Sequence, residues 1–118
     1  MFMIPPKARI YLAAEPTNMH KSFDTLSAVV RQKIGEDPLC GHLFVFCNAR
    51  RNRLKILVWD GSGLWVLAKR LERGTFAWPR VTSGDTKVEV TANELAALLS
   101  GLDPRRAIAW PTWHRISA

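Results

Sequence analysis

Gly41–Pro79, GHLFVFCNARRNRLKILVWDGSGLWVLAKRLERGTFAWP, is the stretch on which the fold turns. Leu43–Asn48, Arg53–Trp59 and Leu64–Leu71 are rich in branched and aromatic residues and read as three strands. A short basic loop joins the first two, and Asp60-Gly61-Ser62-Gly63, whose residues tolerate positive φ, is a hairpin signal between the second and third. Turns centred on Arg50-Arg51 and Gly61-Ser62 give an antiparallel meander with two distinct faces. One face carries Leu43, Val45, Cys47, Leu54, Ile56, Val58, Trp65, Leu67 and Leu71, with Lys69 near the edge, and is expected to pack on the first helix. The other carries Phe44, Phe46, Arg53, Lys55, Leu57, Trp59, Leu64, Val66, Ala68 and Arg70.

Outside this block, Lys7–Ala13 reads as a short strand. Asn18 is placed as a helix N-cap, followed by Met19, Phe23, Leu26, Val30 and Ile34 along one helical face. Gly35 and Pro38 close that helix. Thr86–Val90 alternates as a further short strand. Thr91-Ala92-Asn93-Glu94 is a capping box opening a second helix with Leu95, Leu98, Leu99 and Leu102. Arg105–Ala118, with Trp110 and Trp113, is expected to pack as irregular structure. The expected fold is α+β: one domain over 1–118, with a core of about 5–102 and a tail of 103–118. It is an antiparallel β-meander with an N-terminal helix on one face and a second, C-terminal helix.

Charge is concentrated in the same block. Between Gly41 and Arg80 lie Arg50, Arg51, Arg53, Lys55, Lys69, Arg70, Arg73 and Arg80 against Asp60 and Glu72, which is +6 of the chain's formal +7. Such a localised field attracts polyanions and makes nucleic acid the first partner to consider. Arg50, Arg51, Arg53, Lys55, Lys69, Arg70 and Arg73 are the expected nucleic-acid-binding residues, with Phe46 or Trp59 available to stack on an exposed base. The composition, 47% hydrophobic with five tryptophans, is that of a folded domain rather than a basic tail. No apolar run reaches the roughly 18 residues of a membrane span, and no secretory signal is visible. Cys40 and Cys47 make no disulfide framework, so a cytoplasmic protein is expected.

Catalytic and metal-binding patterns are weak. Cys40, His42, Cys47, His20 and His114 have no recognisable ligand spacing. Asp24, Asp60 and Glu72 each have a simpler reading as a surface-pair or turn residue than as a metal-binding carboxylate. His42, at a strand start, reads as a structural hydrogen-bonding residue. Gly61-Ser62-Gly63 lacks the lysine of a phosphate loop. Neither an enzyme nor a cofactor is expected.

The residues also carry a resemblance. Lys21 with Phe23-Asp24 and Leu26, Gly41-His42-Leu43-Phe44-Val45-Phe46, Arg50-Arg51, Lys55-Ile56-Leu57, Trp59-Asp60-Gly61 with Gly63, Lys69-Arg70-Leu71-Glu72 with Gly74, and Phe76 with Trp78-Pro79 resemble the TnpB accessory proteins of the insertion sequence 66 group of bacterial transposable elements. These are products of the second open reading frame and are not similar to the RNA-guided nucleases of the same name. The resemblance covers Pro5 to about Leu102. It implies a non-catalytic accessory role in transposition, beside a separate transposase that carries the catalytic carboxylates, and the basic residues above make DNA at the element ends the expected partner. The alternative it leaves open is a protein–protein adaptor recruiting the transposase through Trp110, Trp113 and the second helix. A metal-dependent nuclease ranks below both. The chain departs from the family pattern at Asn18-Met19-His20-Lys21, where Asp-Met-Arg-Lys is usual, and at Asn52, where Asp is common. An Asp at position 52 would serve either a metal or the turn.

Overall fold

Both central hairpins close in the registers that their turns dictate. In a computed structural model, which describes residues 6–81 and 84–101, β1 is Ile10–Ala13 and α1 is Phe23–Val29, prolonged by a π-helical stretch over Val30–Ile34. β2 is Leu43–Cys47, β3 Arg53–Trp59, β4 Leu64–Arg70, β5 Lys87–Val90 and α2 Ala92–Leu99. Phe44 faces Leu57 and Cys47 faces Leu54 across β2 and β3; Arg53 faces Arg70 and Trp59 faces Leu64 across β3 and β4. The turns are therefore centred on Arg50-Arg51 and Gly61-Ser62, as expected.

The sheet is mixed rather than an antiparallel meander, in the order β4-β3-β2-β1-β5. β1 runs parallel to β2, pairing Ile10 with Leu43 and Leu12 with Val45. A parallel neighbour needs a long crossover, and α1 is the body of it. β5 then pairs antiparallel with the far side of β1.

The two sheet faces hold the predicted side chains, but the first helix lies on the face opposite the expected one. The face with Leu43, Val45, Cys47, Leu54, Ile56 and Val58 is closed by Leu95 and Leu98 of α2 and by Phe76. The first helix instead covers the opposite face, where Leu26, Val30 and Ile34 meet Tyr11, Phe44, Phe46 and Leu57. Every residue of β1 and β2 is consequently buried. A strand covered on both faces is a continuous apolar run, which is what Leu43-Phe44-Val45-Phe46-Cys47 is.

The first helix also begins later than its capping pattern suggested. Asn18 Oδ1 accepts from the His20 amide (2.8 Å), and the Asn18 carbonyl accepts from the Lys21 amide (3.2 Å), so Asn18 shapes a tight turn. Ser22 is the N-cap, with its amide donating to Thr25 Oγ1 (2.8 Å). Phe23, in the first turn, is 46% exposed. Met19 packs against the α1-side core from outside the helix. At the other end the Gly35 amide reaches the Val30 carbonyl (2.8 Å), and Gly35 takes φ +77°. That left-handed conformation favours glycine as a helix terminator. The capping box of α2 forms as read: the Thr91 side chain accepts from the Glu94 amide (3.1 Å) and Glu94 from the Thr91 amide (2.9 Å).

Trp65, expected in the core, is 47% exposed. It stands on the α2 side of the sheet, and its indole Nε1 donates to Asp60 Oδ2 (2.7 Å). Leu102, His114 and the tail with Trp110 and Trp113 lie outside the described residues.

Candidate nucleic-acid interface

The β2–β3 turn sends its two arginines to opposite sides. Asn48 Oδ1 accepts from the amides of Asn52 and Arg53 (both 3.1 Å), and Asn48 Nδ2 donates to Asn52 Oδ1 (2.8 Å). Within this frame Arg51 takes φ +59°, a conformation uncommon for a residue with a side chain. Its guanidinium then lies 5.1 Å from the centre of the Trp78 ring, and its Nη1 is buried without a hydrogen-bond partner among the described residues. The Arg51 carbonyl accepts from the Phe76 amide (2.6 Å) and Trp78 Nε1 donates to the Ala13 carbonyl (3.0 Å). Arg51 therefore belongs to the clamp that ties the 74–80 loop to the sheet. Burial pushes the nearby Cys47 thiol up from its ordinary value, and Arg51 partly opposes that shift.

Arg50, by contrast, is exposed and lines a cleft of about 470 Å³ with Arg53. Thr17, Asn18, His20, Asn48 and Asn52 supply most of its polar wall, and among the described residues no carboxylate lines it. Arg70 stands directly across from Arg53. The Leu71 amide donates to the Asn52 carbonyl (2.9 Å), so ladder bonds skip the Arg53–Arg70 pair. Non-bonded pairs of this type bring Cα atoms to about 4.5 Å. Arg70 also meets Glu72 (3.1 Å) on the surface, where both side chains are largely exposed.

The remaining predicted cations fall elsewhere. Lys55 is half-buried, with Nζ donating to the Lys21 carbonyl (2.7 Å), which ties the start of α1 to the sheet. Lys69 points to the α2 face, where Nζ donates to the Leu99 carbonyl at the end of that helix (2.6 Å). Arg73 is exposed in the turn after β4. The structure thus brings together Arg50, Arg53 and Arg70, and sets Arg51 and Lys69 on the other side. Asn18, His20, Asn48 and Asn52 were not read as cleft residues. Their signal is only the placing of a second polar loop beside the turn, which requires the Thr17 amide to reach the Cys47 carbonyl (2.8 Å).

Asp60 is committed to its turn. Its Oδ1 accepts from the amides of Ser62 (2.8 Å) and Gly63 (2.9 Å) and from the Ser62 hydroxyl (3.0 Å). The Ser62 amide and the Trp65 indole are the leading causes that hold its carboxyl far below the usual carboxylate range. A depressed folded-state pKa adds stability that is present above the unfolded value near 3.9 and is lost as pH falls through the folded one. Asp60→Asn should therefore be less stable than the parent at neutral pH, with the difference shrinking steadily below about pH 4. Urea unfolding across an acid series checks this, and a difference independent of pH would refute it. His42 likewise serves structure: its Nδ1 accepts from the Arg9 amide (3.0 Å), and its ring meets Tyr11 edge-on at 5.8 Å.

Comparison with known proteins supplies the lineage. A profile of IS66 Orf2-like proteins matches residues 8–109. The chain belongs to the IS66 Orf2-like family. This family is associated with transposition of insertion sequences, in an accessory capacity. Two relatives are uncharacterized proteins of Sinorhizobium fredii. The chain is 35% identical to y4jC over 108 residues, covering 88% of this chain and 91% of that protein. It is 36% identical to y4hO over 97 residues, covering 82% and 83%. No solved structure matches. Asn52 fills a turn-shaping role through its side-chain oxygen, which accepts from Asn48 Nδ2 (2.8 Å), a role that an Asp oxygen would fill equally. Among the described residues no helix is long and apolar enough to cross a membrane.

Proposed function

We propose that this IS66 Orf2-like protein is a non-catalytic accessory factor that grips the DNA backbone at the ends of its element, beside the transposase that does the chemistry. The observation that carries this reading is the cationic cleft. Arg50 and Arg53 open onto it, Arg70 stands across from Arg53, and among the described residues no acidic side chain lines it. Like charges directly opposite on neighbouring strands repel, and a phosphate oxygen between them converts that repulsion into two charge-assisted hydrogen bonds. Arg73, exposed at the same end of the sheet, extends the surface. Asn18, Asn48 and Asn52 add neutral hydrogen-bonding groups of the kind that fix register on a sugar-phosphate backbone. The expected contact is thus largely sequence-independent.

A gel-shift series with element-end, unrelated and single-stranded DNA at several salt concentrations tests the proposal. Binding that weakens steeply with salt supports it. No binding to any of the three at low salt overturns it. Capture of the transposase from a nuclease-treated extract would favour the adaptor reading instead.

A further inference from the structure

We infer that β4 is the two-fold interface of a homodimer, in which a second copy of this chain adds its own β4 antiparallel and continues the sheet. Among the described residues β4 is a sheet edge, seven residues long, with no proline or glycine in Leu64–Arg70. Natural edges are usually shortened, bulged or interrupted to prevent such pairing. The opposite edge, β5, is only four residues long.

The backbone pattern says which groups of β4 are on offer. The Asp60 amide donates to the Gly63 carbonyl (3.1 Å) and the Leu71 amide to the Asn52 carbonyl (2.9 Å). Ladder bonds alternate along an antiparallel pair, so Trp65, Leu67 and Lys69 bond inward to β3. Leu64, Val66, Ala68 and Arg70 turn their N–H and C=O groups outward. A second β4 centred on Leu67 matches all four: Leu64 with Arg70 and Val66 with Ala68, twice over. This yields about eight backbone hydrogen bonds. It is the symmetric register that overlaps the whole strand.

The side chains agree with that register. The two cations of β4 lie together at one end, so an antiparallel mate sets them against apolar residues rather than against each other. Arg70 falls opposite Leu64, and Lys69 falls opposite Trp65, so neither cation meets another. Leu67 meets its own symmetry mate on the α2 side, next to apolar surface already packed on the core. Centring the pair on Lys69 instead would put two ammonium groups face to face. The charge pattern therefore selects one arrangement for a second copy of the chain.

Site-specific cross-linking tests the register. Non-bonded antiparallel pairs hold Cα atoms about 4.5 Å apart, within the range a disulfide spans. In a Cys40→Ser background, which removes the exposed native thiol, Leu67→Cys should give a disulfide-linked dimer on mild oxidation. Ala68→Cys should not, because its symmetry mate is displaced along the strand. Sedimentation of the unmodified protein should show twice the 13.3 kDa chain mass. Ala68→Pro, which deletes an outward N–H and no bond to β3, should sediment as a monomer. Trp65→Lys, which opposes Lys69 with a like charge, should do the same without touching the strand backbone. A monomeric parent protein, a dimer that persists in both variants, or equal linking at 67 and 68 would overturn the proposal.

Discussion

Changing Arg50, Arg53 and Arg70 together to Ala should flatten the salt dependence of DNA binding while leaving the fold intact. Four exposed cations, these three and Arg73, are available at one end of the sheet. Releasing the counterions of about four phosphates gives a log–log slope near −3.6 on duplex DNA. Losing three contacts should bring it to about −0.9. The three side chains are solvent-exposed, and the ion pair between Arg70 and Glu72 is of the exposed kind whose loss costs little. Circular dichroism should therefore be unchanged. Lys69→Ala is the matched control, because Lys69 holds the end of α2 on the opposite face. It should keep a slope near that of the parent. Equal flattening by both variants would mean that charge acts without regard to face, and an unchanged slope in the triple variant would remove the cleft from the argument. Arg51 is best left in place, since its loss would disturb the Trp78 clamp and confuse a binding defect with a folding one.

That distinction between Arg50 and Arg51 marks where the sequence stops being legible. Strand positions, both hairpin registers and the composition of both faces follow from period-two alternation and turn chemistry, and all appear in the structure. Side-chain direction at the turn does not follow, because it depends on a left-handed φ at Arg51 that no neighbouring glycine announces. The seven predicted contact residues consequently looked like one patch, although alternation already put Lys69 on the face opposite Arg53. The parallel pairing of β1 with β2 was hidden for a different reason. It depends on where a crossover returns, a long-range outcome to which local pattern is blind. A signal for it did exist: Leu43–Cys47 is apolar at every position, which suits a central strand covered on both sides. Given two amphipathic helices and one doubly buried strand, a helix on each face is the arrangement that leaves neither apolar stripe in water. The cleft was less legible still, for its second wall is the 16–20 loop, brought to the turn by one backbone hydrogen bond to Cys47.

Phe76→Ala should be among the most damaging single truncations in the protein, although Phe76 belongs to no helix or strand. The residue is 2% exposed and packs into the α2-side core with Leu95 and Leu98. Its amide is held by the Arg51 carbonyl, so the 74–80 loop cannot easily slide inward to refill the space. Phe→Ala substitutions at such sites remove about 3–5 kcal/mol, the transfer energy of the ring together with the cavity left behind. Against a total of about 5–15 kcal/mol for a typical domain, that is a large fraction. Phe23→Ala supplies the comparison. The helical spacing placed Phe23 in the core, yet the structure leaves it 46% exposed in the first turn of α1. Its loss should cost about 0.5 kcal/mol, the scale of surface substitutions. Urea unfolding followed by circular dichroism ranks the two directly. A Phe76 variant no less stable than the Phe23 variant would mean that the loop does not close the core, and the clamp formed by Arg51 and Trp78 would then have nothing to hold in place.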